Sequence, residues 1–360
     1  MGTEIEERKY VRLPTFLEQG FSDLKREVVD KSICSLCGTC VAFCDKIRLD
    51  MGEGNNEVGV PEFGEDYDTV CGLCYTFCPR TFLPVSEIER RILGAESAEE
   101  DVLGIYKSCY AVRSKKADIK GQDGGAVTSL LAYALEEGMI DSAVITASDN
   151  QWKPIIKVAK NYEELKEGAG TKYTLYPSVV GVKEAMEEGC AAIGFVGLPC
   201  QIQGLRKVQT AEQPYDVGKE KIKLLVGLFC MENFTADLLE FIAKKYVKLE
   251  NVKKVDIKGK EFLVSDDEGK VHAIPLEEIK DYIGEGCSVC MDYTAELADI
   301  SVGSVGSEGG WSTVFVRTER GEEVVKGAIE KGYIEVNGIE DKGLGLIRRL
   351  GTKKKKANKI

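Results

Sequence analysis

ICSLCGTCVAFCD, residues 33–45, sets four cysteines two, two and three residues apart. A C-x₂-C-x₂-C-x₃-C run followed later by Cys-Pro marks a module folded around two iron–sulfur cubanes. Three thiolates of the run and the distant cysteine hold one cluster, while the fourth crosses to the other. Cys34, Cys37, Cys40 and Cys78, which precedes Pro79, therefore read as one ligand set, and Cys44 joins Cys71 and Cys74 at a second site. Zinc sites rarely use three cysteines at this spacing. A full repeat would place a cysteine three residues before Cys71, where the sequence has Asp68. Four alternatives stay open there: Asp68 as ligand, a hydroxide, a more distant thiol, or a site short of one iron.

The rest of the chain agrees with redox work in a reducing compartment. Thirteen cysteines follow a charged start, MGTEIEERKY, that is no secretory signal, so a cytoplasmic location is expected. The formal charge of −12 argues against nucleic acid as a partner. A lone histidine, His272, argues against His-rich zinc sites and bis-histidine haem. No apolar run approaches the roughly 18 to 20 residues of a membrane-spanning helix. The cysteine-dense module is expected over 1–95, with GAESAEED (Gly94–Asp101) as linker, and a larger domain over 96–350. Residues 351–360, with the run Lys353–Lys356, read as a mobile basic tail able to touch an acidic lipid face or partner.

In the second half DSAVITA (141–147), AAIGFVG (191–197) and KIKLLVGLF (221–229) are continuously apolar, as strands buried on both faces are. GAVTSLLAYALEEG and VVGVKEAMEEG between them carry helical spacing closed by glycine. The alternation predicts an α/β domain with a largely parallel sheet. GLPC and GLFC put Cys200 and Cys230 at carboxyl ends of strands, the ligand edge of such sheets. With the C-x₂-C pair Cys287 and Cys290 they form either a further cluster site or a set of buried structural thiols.

Three loops look suited to a ligand. GQDGGAV (121–127) precedes a helix whose first amides suit a phosphate, or it is an ordinary turn capped by Asp123. SVGSVGSEGGWS (301–312) has few bulky side chains, so something approaches its backbone closely. GTKYT (170–174) offers Lys172 to a phosphate.

From Tyr106 to Arg349 the chain resembles the family of coenzyme F420 hydrogenase/dehydrogenase beta subunits. QDGGAVTSLLAYALEEGMI, WKP, AGTKYTLYP, GLPCQIQGLRKVQT, EKIKLLVGLFCMENF, GCSVCMDYTAELADISVGSVGSEGGWSTV and GLGLI carry the resemblance in order. With its added ferredoxin module the chain is most similar to the input subunit of membrane-bound F420-dependent dehydrogenases. It also resembles the N-terminal half of F420-dependent sulfite reductase. The resemblance implies a flavin domain holding FAD and a 4Fe–4S cluster on Cys200, Cys230, Cys287 and Cys290, making three clusters in all and no fewer than two. Gly124, Gly125, Thr128, Thr171, Lys172, Ser304, Gly306 and Trp311 would lie near FAD, and Cys109 and Cys190 match nothing and read as structural.

Function follows from the chemistry of these groups. Reduced F420 gives up a hydride, clusters carry single electrons, and a flavin converts between them. The expected activity is oxidation of reduced F420 through FAD and the clusters to partner redox subunits. These would belong to a membrane-bound quinone or phenazine dehydrogenase complex, on the inner face of the membrane, or to a soluble reductase. No catalytic proton donor is assignable. Lys153, Lys172, Arg206 and Lys207 are candidates for a basic patch toward the F420 phosphate and glutamate tail, and Trp152 either covers the flavin or packs. The rival readings are a non-catalytic iron–sulfur relay and a chlorophyll-pigment reductase of the wider superfamily.

Overall fold

The computed structural model describes residues 19–49, 59, 61–64, 71–98, 101–119 and 121–358. Asp68 lies outside the described residues. Thirteen strands occur among the described residues: β1 (Ile47–Leu49), β2 (Pro61–Phe63), β3 (Ser108–Ser114), β4 (Ser142–Ser148), β5 (Pro154–Ala159), β6 (Ile193–Gly197), β7 (Ile222–Leu228), β8 (Val252–Lys258), β9 (Glu261–Asp266), β10 (Val271–Pro275), β11 (Ile300–Gly303), β12 (Ser312–Val316) and β13 (Ile334–Asn337).

Eight of them make one sheet in the order β13-β3-β12-β11-β7-β6-β4-β5. Its centre, β11-β7-β6-β4, is parallel. β3 runs the same way, because it is antiparallel to β12, which is antiparallel to β11. The apolar runs behave as their composition demands. Leu224 and Val226 of β7 face one core and Leu225 the other, and in β4 Ala143 and Ile145 oppose Val144. Helices Ala126–Glu136 and Glu319–Glu330 fill the first face, and Val180–Glu187 and Pro199–Thr210 the second. The α/β fold with a mostly parallel central sheet is thus as expected.

The cysteine-rich segment lies over the second face, with Ala42, Leu73, Phe77 and Ile88 in the same core as the Pro199–Thr210 helix. It also has a small core of its own, in which Phe21, Leu24 and Val28 pack with Cys40, Cys74 and Cys78. Its two short cysteine helices, Thr39–Ala42 and Leu73–Phe77, each start from a left-handed glycine, Gly38 (φ 87) and Gly72 (φ 75). At Gly38 a Cβ would also lie 2.5 Å from the Pro177 carbonyl, so the position needs glycine twice over.

Two features differ from the sequence reading. An antiparallel sheet, β10-β9-β8, is inserted between β7 and β11, with the helix Asp237–Lys245 against it in a separate core. The expected basic tail is instead part of the helix Asp341–Ala357, where Ile347, Gly351 and Lys354 are buried along one side. Among the described residues no helix is long and apolar enough to cross a membrane.

Candidate redox site

Parallel strands deliver their following loops to one edge of the sheet. At the carboxyl ends of β3, β4, β6, β7 and β11 stand, respectively, the Gly124–Gly125 turn, Trp152, Cys200, Cys230 and the 304–311 loop. β6 stops at Gly197, and Pro199 opens the next helix at its first position, which puts Cys200 in the first turn. That helix end favours a thiolate.

The thiols fall into three sets. Cys34, Cys37, Cys40 and Cys78 line one small cavity of about 20 Å³, closed by Leu24, Val28 and Leu36. Burial pushes the Cys34 thiol up to about 12 and Cys78 up to about 11, and the neighbouring thiols add to both. Cys40 is raised well above its ordinary value by burial and by Cys37, Cys78 and Cys34. A set of buried thiols that resist ionising together needs a cation to become thiolates. Among the described residues, no three thiol, carboxylate or imidazole groups crowd closely enough to hold a single metal ion.

Cys44, Cys71 and Cys74 line a second, more open cavity of about 450 Å³ with Gly20, Phe21, Asp45 and Tyr215. Burial and Cys71 raise the Cys44 thiol. In the third set burial pushes Cys230 up to about 12, with Cys287 and Cys290 adding to it. Cys200 is raised by burial, by Cys290 and by Cys37 of the first set. Three buried polar atoms beside these cysteines have no partner: Ser35 Oγ, Thr76 Oγ1 and Arg80 Nε. Cluster sulfurs are acceptors that such donors fit, so the donor set suits iron–sulfur groups.

The first and third sets touch. A Cβ on Gly286, next to Cys287, would lie 2.3 Å from the Cys34 carbonyl oxygen. Lys207, from the Cys200 helix, donates to the Cys78 carbonyl at 2.6 Å, to Thr81 Oγ1 and to the Phe82 carbonyl, both at 2.8 Å. The C-terminal helix clamps the third set. Lys354 Nζ donates to the Cys230 carbonyl at 2.5 Å, and Asn358 Nδ2 donates to the carbonyls of Cys287 (2.9 Å) and Cys290 (2.7 Å).

The glycine-rich loops at this sheet edge are similarly pinned. Gly125 (φ 67) opens the Ala126–Glu136 helix without a side-chain cap, so its first turn suits a phosphate. Gly124 itself is close-packed, since a Cβ would lie 2.3 Å from the Val112 carbonyl oxygen. Thr128 is buried in the same helix, Ser304 is exposed, and Gly306 (φ 103) packs on Ile347 of the C-terminal helix. Around Gly309 and Gly310 the backbone is open, and Arg113 stacks on the Trp311 ring at 4.6 Å.

Several charged candidates do other work. Arg206 is buried and donates to the Leu297 carbonyl (2.7 Å), to Gln209 Oε1 (2.6 Å) and to Asp299 Oδ1 (2.8 Å). Neither it nor buried Lys207 is free to form an F420 patch, because each is enclosed by acceptors from distant segments. Lys172 directs its ammonium at the carbonyls of Gly168 (2.9 Å), Ala169 and Gly170 (both 3.1 Å). Its three donors are thus engaged in tying together the loop that follows the helix Tyr162–Glu167. Lys153 stays half-buried at the edge. Trp152 packs: its Nε1 donates to the Val252 carbonyl at 2.9 Å. His272 lies away from the site on β10, paired with Asp266 at 3.0 Å. Sequence reasoning missed Gln122, whose Nε2 donates to the Val255 carbonyl (3.2 Å) and whose Oε1 accepts from Thr171 N (3.3 Å), tying two loops to the small sheet.

The chain is similar to known proteins. The N-terminal part of the family described as "Coenzyme F420 hydrogenase/dehydrogenase, beta subunit" matches residues 109–183, and its C-terminal part matches 190–342. The coenzyme F420 hydrogenase subunit beta of Methanothermobacter thermautotrophicus is 47% identical over 263 residues, covering 71% of this chain and 93% of that one. The chain belongs to the family of coenzyme F420 hydrogenase/dehydrogenase beta subunits. A chain in the solved F420-reducing [NiFe] hydrogenase complex of Methanosarcina barkeri is 40% identical, with a TM-score of 0.70 over 73% of this chain and 93% of that chain. The F subunit of the F(420)H(2) dehydrogenase of Methanosarcina mazei is 32% identical over 340 residues, 92% of each chain. The F420-dependent sulfite reductase of Methanocaldococcus jannaschii is 37% identical over 316 residues, 84% of this chain and 47% of that protein. Matches of those lengths must reach ahead of residue 109, and the match to the dehydrogenase F subunit, at 92% of this chain, must run through the cysteine-rich segment.

Proposed function

We propose that this chain oxidises reduced coenzyme F420 and hands the electrons to a partner redox protein. As a member of its family it works in F420-linked electron transfer. FAD, when bound, would take the hydride and release single electrons, which 4Fe–4S clusters carry onward. In this reading residues 1–95 are the ferredoxin module and 96–350 the flavin domain.

The observation that carries the proposal is the meeting of two ligand sets at one boundary, where Gly286 lies against Cys34. Flavin-side loops stand on the same sheet edge as the third set, and the first set lies directly beyond it. Gly125 and the first turn of its helix would hold the FAD phosphates, with the 171–172 and 304–311 loops around it. Cys200, Cys230, Cys287 and Cys290 would hold the nearest cluster, Cys34, Cys37, Cys40 and Cys78 the next, and Cys44, Cys71 and Cys74 the last. The larger opening at this last set supports it as the exit toward a partner. The length of the match to the F subunit of the dehydrogenase supports work within a multi-subunit redox complex, which we read as peripheral on the inner face of a membrane.

The test is anaerobic turnover of the chain, with FAD and clusters verified, using reduced F420 and a one-electron dye. Oxidised F420 should return in an FAD-dependent way. No return from the loaded chain would make it a non-catalytic relay.

A further inference from the structure

Arg80 follows Cys78-Pro79 in the ferredoxin module, yet its side chain reaches across the boundary. Nη2 donates to the carbonyl of Gly286 at 3.2 Å, and the thiols of Cys290, Cys200 and Cys37 are the groups whose charge acts most strongly on the guanidinium. The backbone N–H of Arg80 points at Cys78 Sγ from 3.4 Å. One cation thus borders both ligand sets. Its Nε is fully buried and has no partner, although an arginine N–H donor left without an acceptor in a protein interior is costly.

We propose that Arg80 is a potential-setting and positioning residue for the iron–sulfur groups on both sides of the module boundary, with its orphaned Nε–H donating to cluster sulfur. This rests on the cluster assignments made above. Reduction adds one electron to a cluster and moves no proton or heavy atom. A fixed positive charge and an N–H donor at the sulfurs stabilise the added charge and raise the potential. The third cluster, whose ligands Cys290 and Cys200 act most strongly on the guanidinium, gains most. Arg80 then makes that cluster the ready acceptor for electrons leaving the flavin, and its bond to Gly286 holds the first cluster beside it. Lysine keeps the charge but lacks Nε, so the two contributions separate by substitution.

The experiment uses the full reconstituted chain. Iron, sulfide and the electron paramagnetic resonance of the dithionite-reduced protein come first; absence of clusters would overturn the cluster reading and this inference with it. With clusters present, protein carrying arginine labelled with ¹⁵N in the guanidino group alone, so that the backbone N–H beside Cys78 stays silent, is reduced and examined by pulsed resonance. A nitrogen coupling to a reduced cluster is expected, and it should vanish in Arg80→Lys. In a potentiometric titration, Arg80→Gln should shift the third cluster toward its oxidised form about tenfold at fixed potential, about 59 mV for one electron. Arg80→Lys should shift it less. Loaded wild-type chain with no arginine coupling, or Arg80→Gln with an unchanged potential, would overturn the inference. The coupling in the labelled wild-type chain decides the point even where Arg80→Gln fails to load its clusters.

Discussion

Arg206→Met separates a structural arginine from a substrate contact. The Arg206–Asp299 pair has side chains 4% and 7% exposed, and Asp299 also accepts from Leu225 N (2.7 Å) and Thr318 Oγ1 (2.8 Å). Through it the Cys200 helix is tied to the start of β11 and the end of β12. Methionine fills a similar volume and strands the carboxylate in the interior. Breaking a buried pair from one side costs about 3–5 kcal/mol. For a domain of this size, at about 2–4 °C per kcal/mol, the melting temperature should fall by about 6–20 °C. Arg206→Met/Asp299→Asn removes the stranded charge but keeps an acceptor for Leu225 N, so it should recover at least about 1 kcal/mol relative to the sum of the single changes. The assay is thermal unfolding of matched cluster-loaded samples, with KM for reduced F420 measured well below the transition. Unchanged melting with a raised KM would refute the reasoning and return Arg206 to the substrate.

Three other outcomes follow from the same structure. Lys354→Met/Asn358→Ala removes the donors to the Cys230, Cys287 and Cys290 carbonyls and should cost the chain about four iron atoms by chemical assay while the N-terminal signals persist. Gly286→Ala forces a Cβ against the Cys34 carbonyl; cluster reduction in the flavin domain should survive, and its passage to the ferredoxin module should slow about tenfold or more in rapid-freeze resonance measurements. Burial, with Asp292 beside it, pushes the Glu296 carboxyl up to about 8 against the pull of Lys355. The native state then holds a proton that the unfolded chain releases near 4.5, so stability should fall as pH rises from about 4.5 through 8. Denaturant titrations across that range should show the slope in the wild type and its loss in Glu296→Gln.

What the sequence disclosed depended on whether the deciding neighbours were local. The strands of β4, β6 and β7 were legible because burial on both faces leaves continuous apolar runs. The first cysteine set was legible because three of its members stand within seven residues of one another, and the structure brings Cys78 to the same cavity. The inserted sheet was not, since β8 reads VKKVDIK with only Val252 and Val255 buried, a weak signal beside the central strands. Arg206 and Lys207 were misread because their acceptors come from residues 297–299 and 78–82, far away in the chain. The lysine run looked like a solvated tail, although Ile347, Gly351, Lys354 and Asn358 recur at helical spacing and continue the buried side of the last helix. Arg80 carried a fainter trace, as the one charge immediately after the Cys-Pro ligand step.

The most direct test of the account is a single-turnover experiment: the loaded chain is mixed anaerobically with one equivalent of reduced F420 and followed at the F420, flavin and cluster absorbance bands. Return of oxidised F420 in step with flavin bleaching, followed by loss of cluster absorbance, is the predicted result. Clusters that stay oxidised while the flavin is reduced, or F420 that stays reduced with FAD in place, would contradict it.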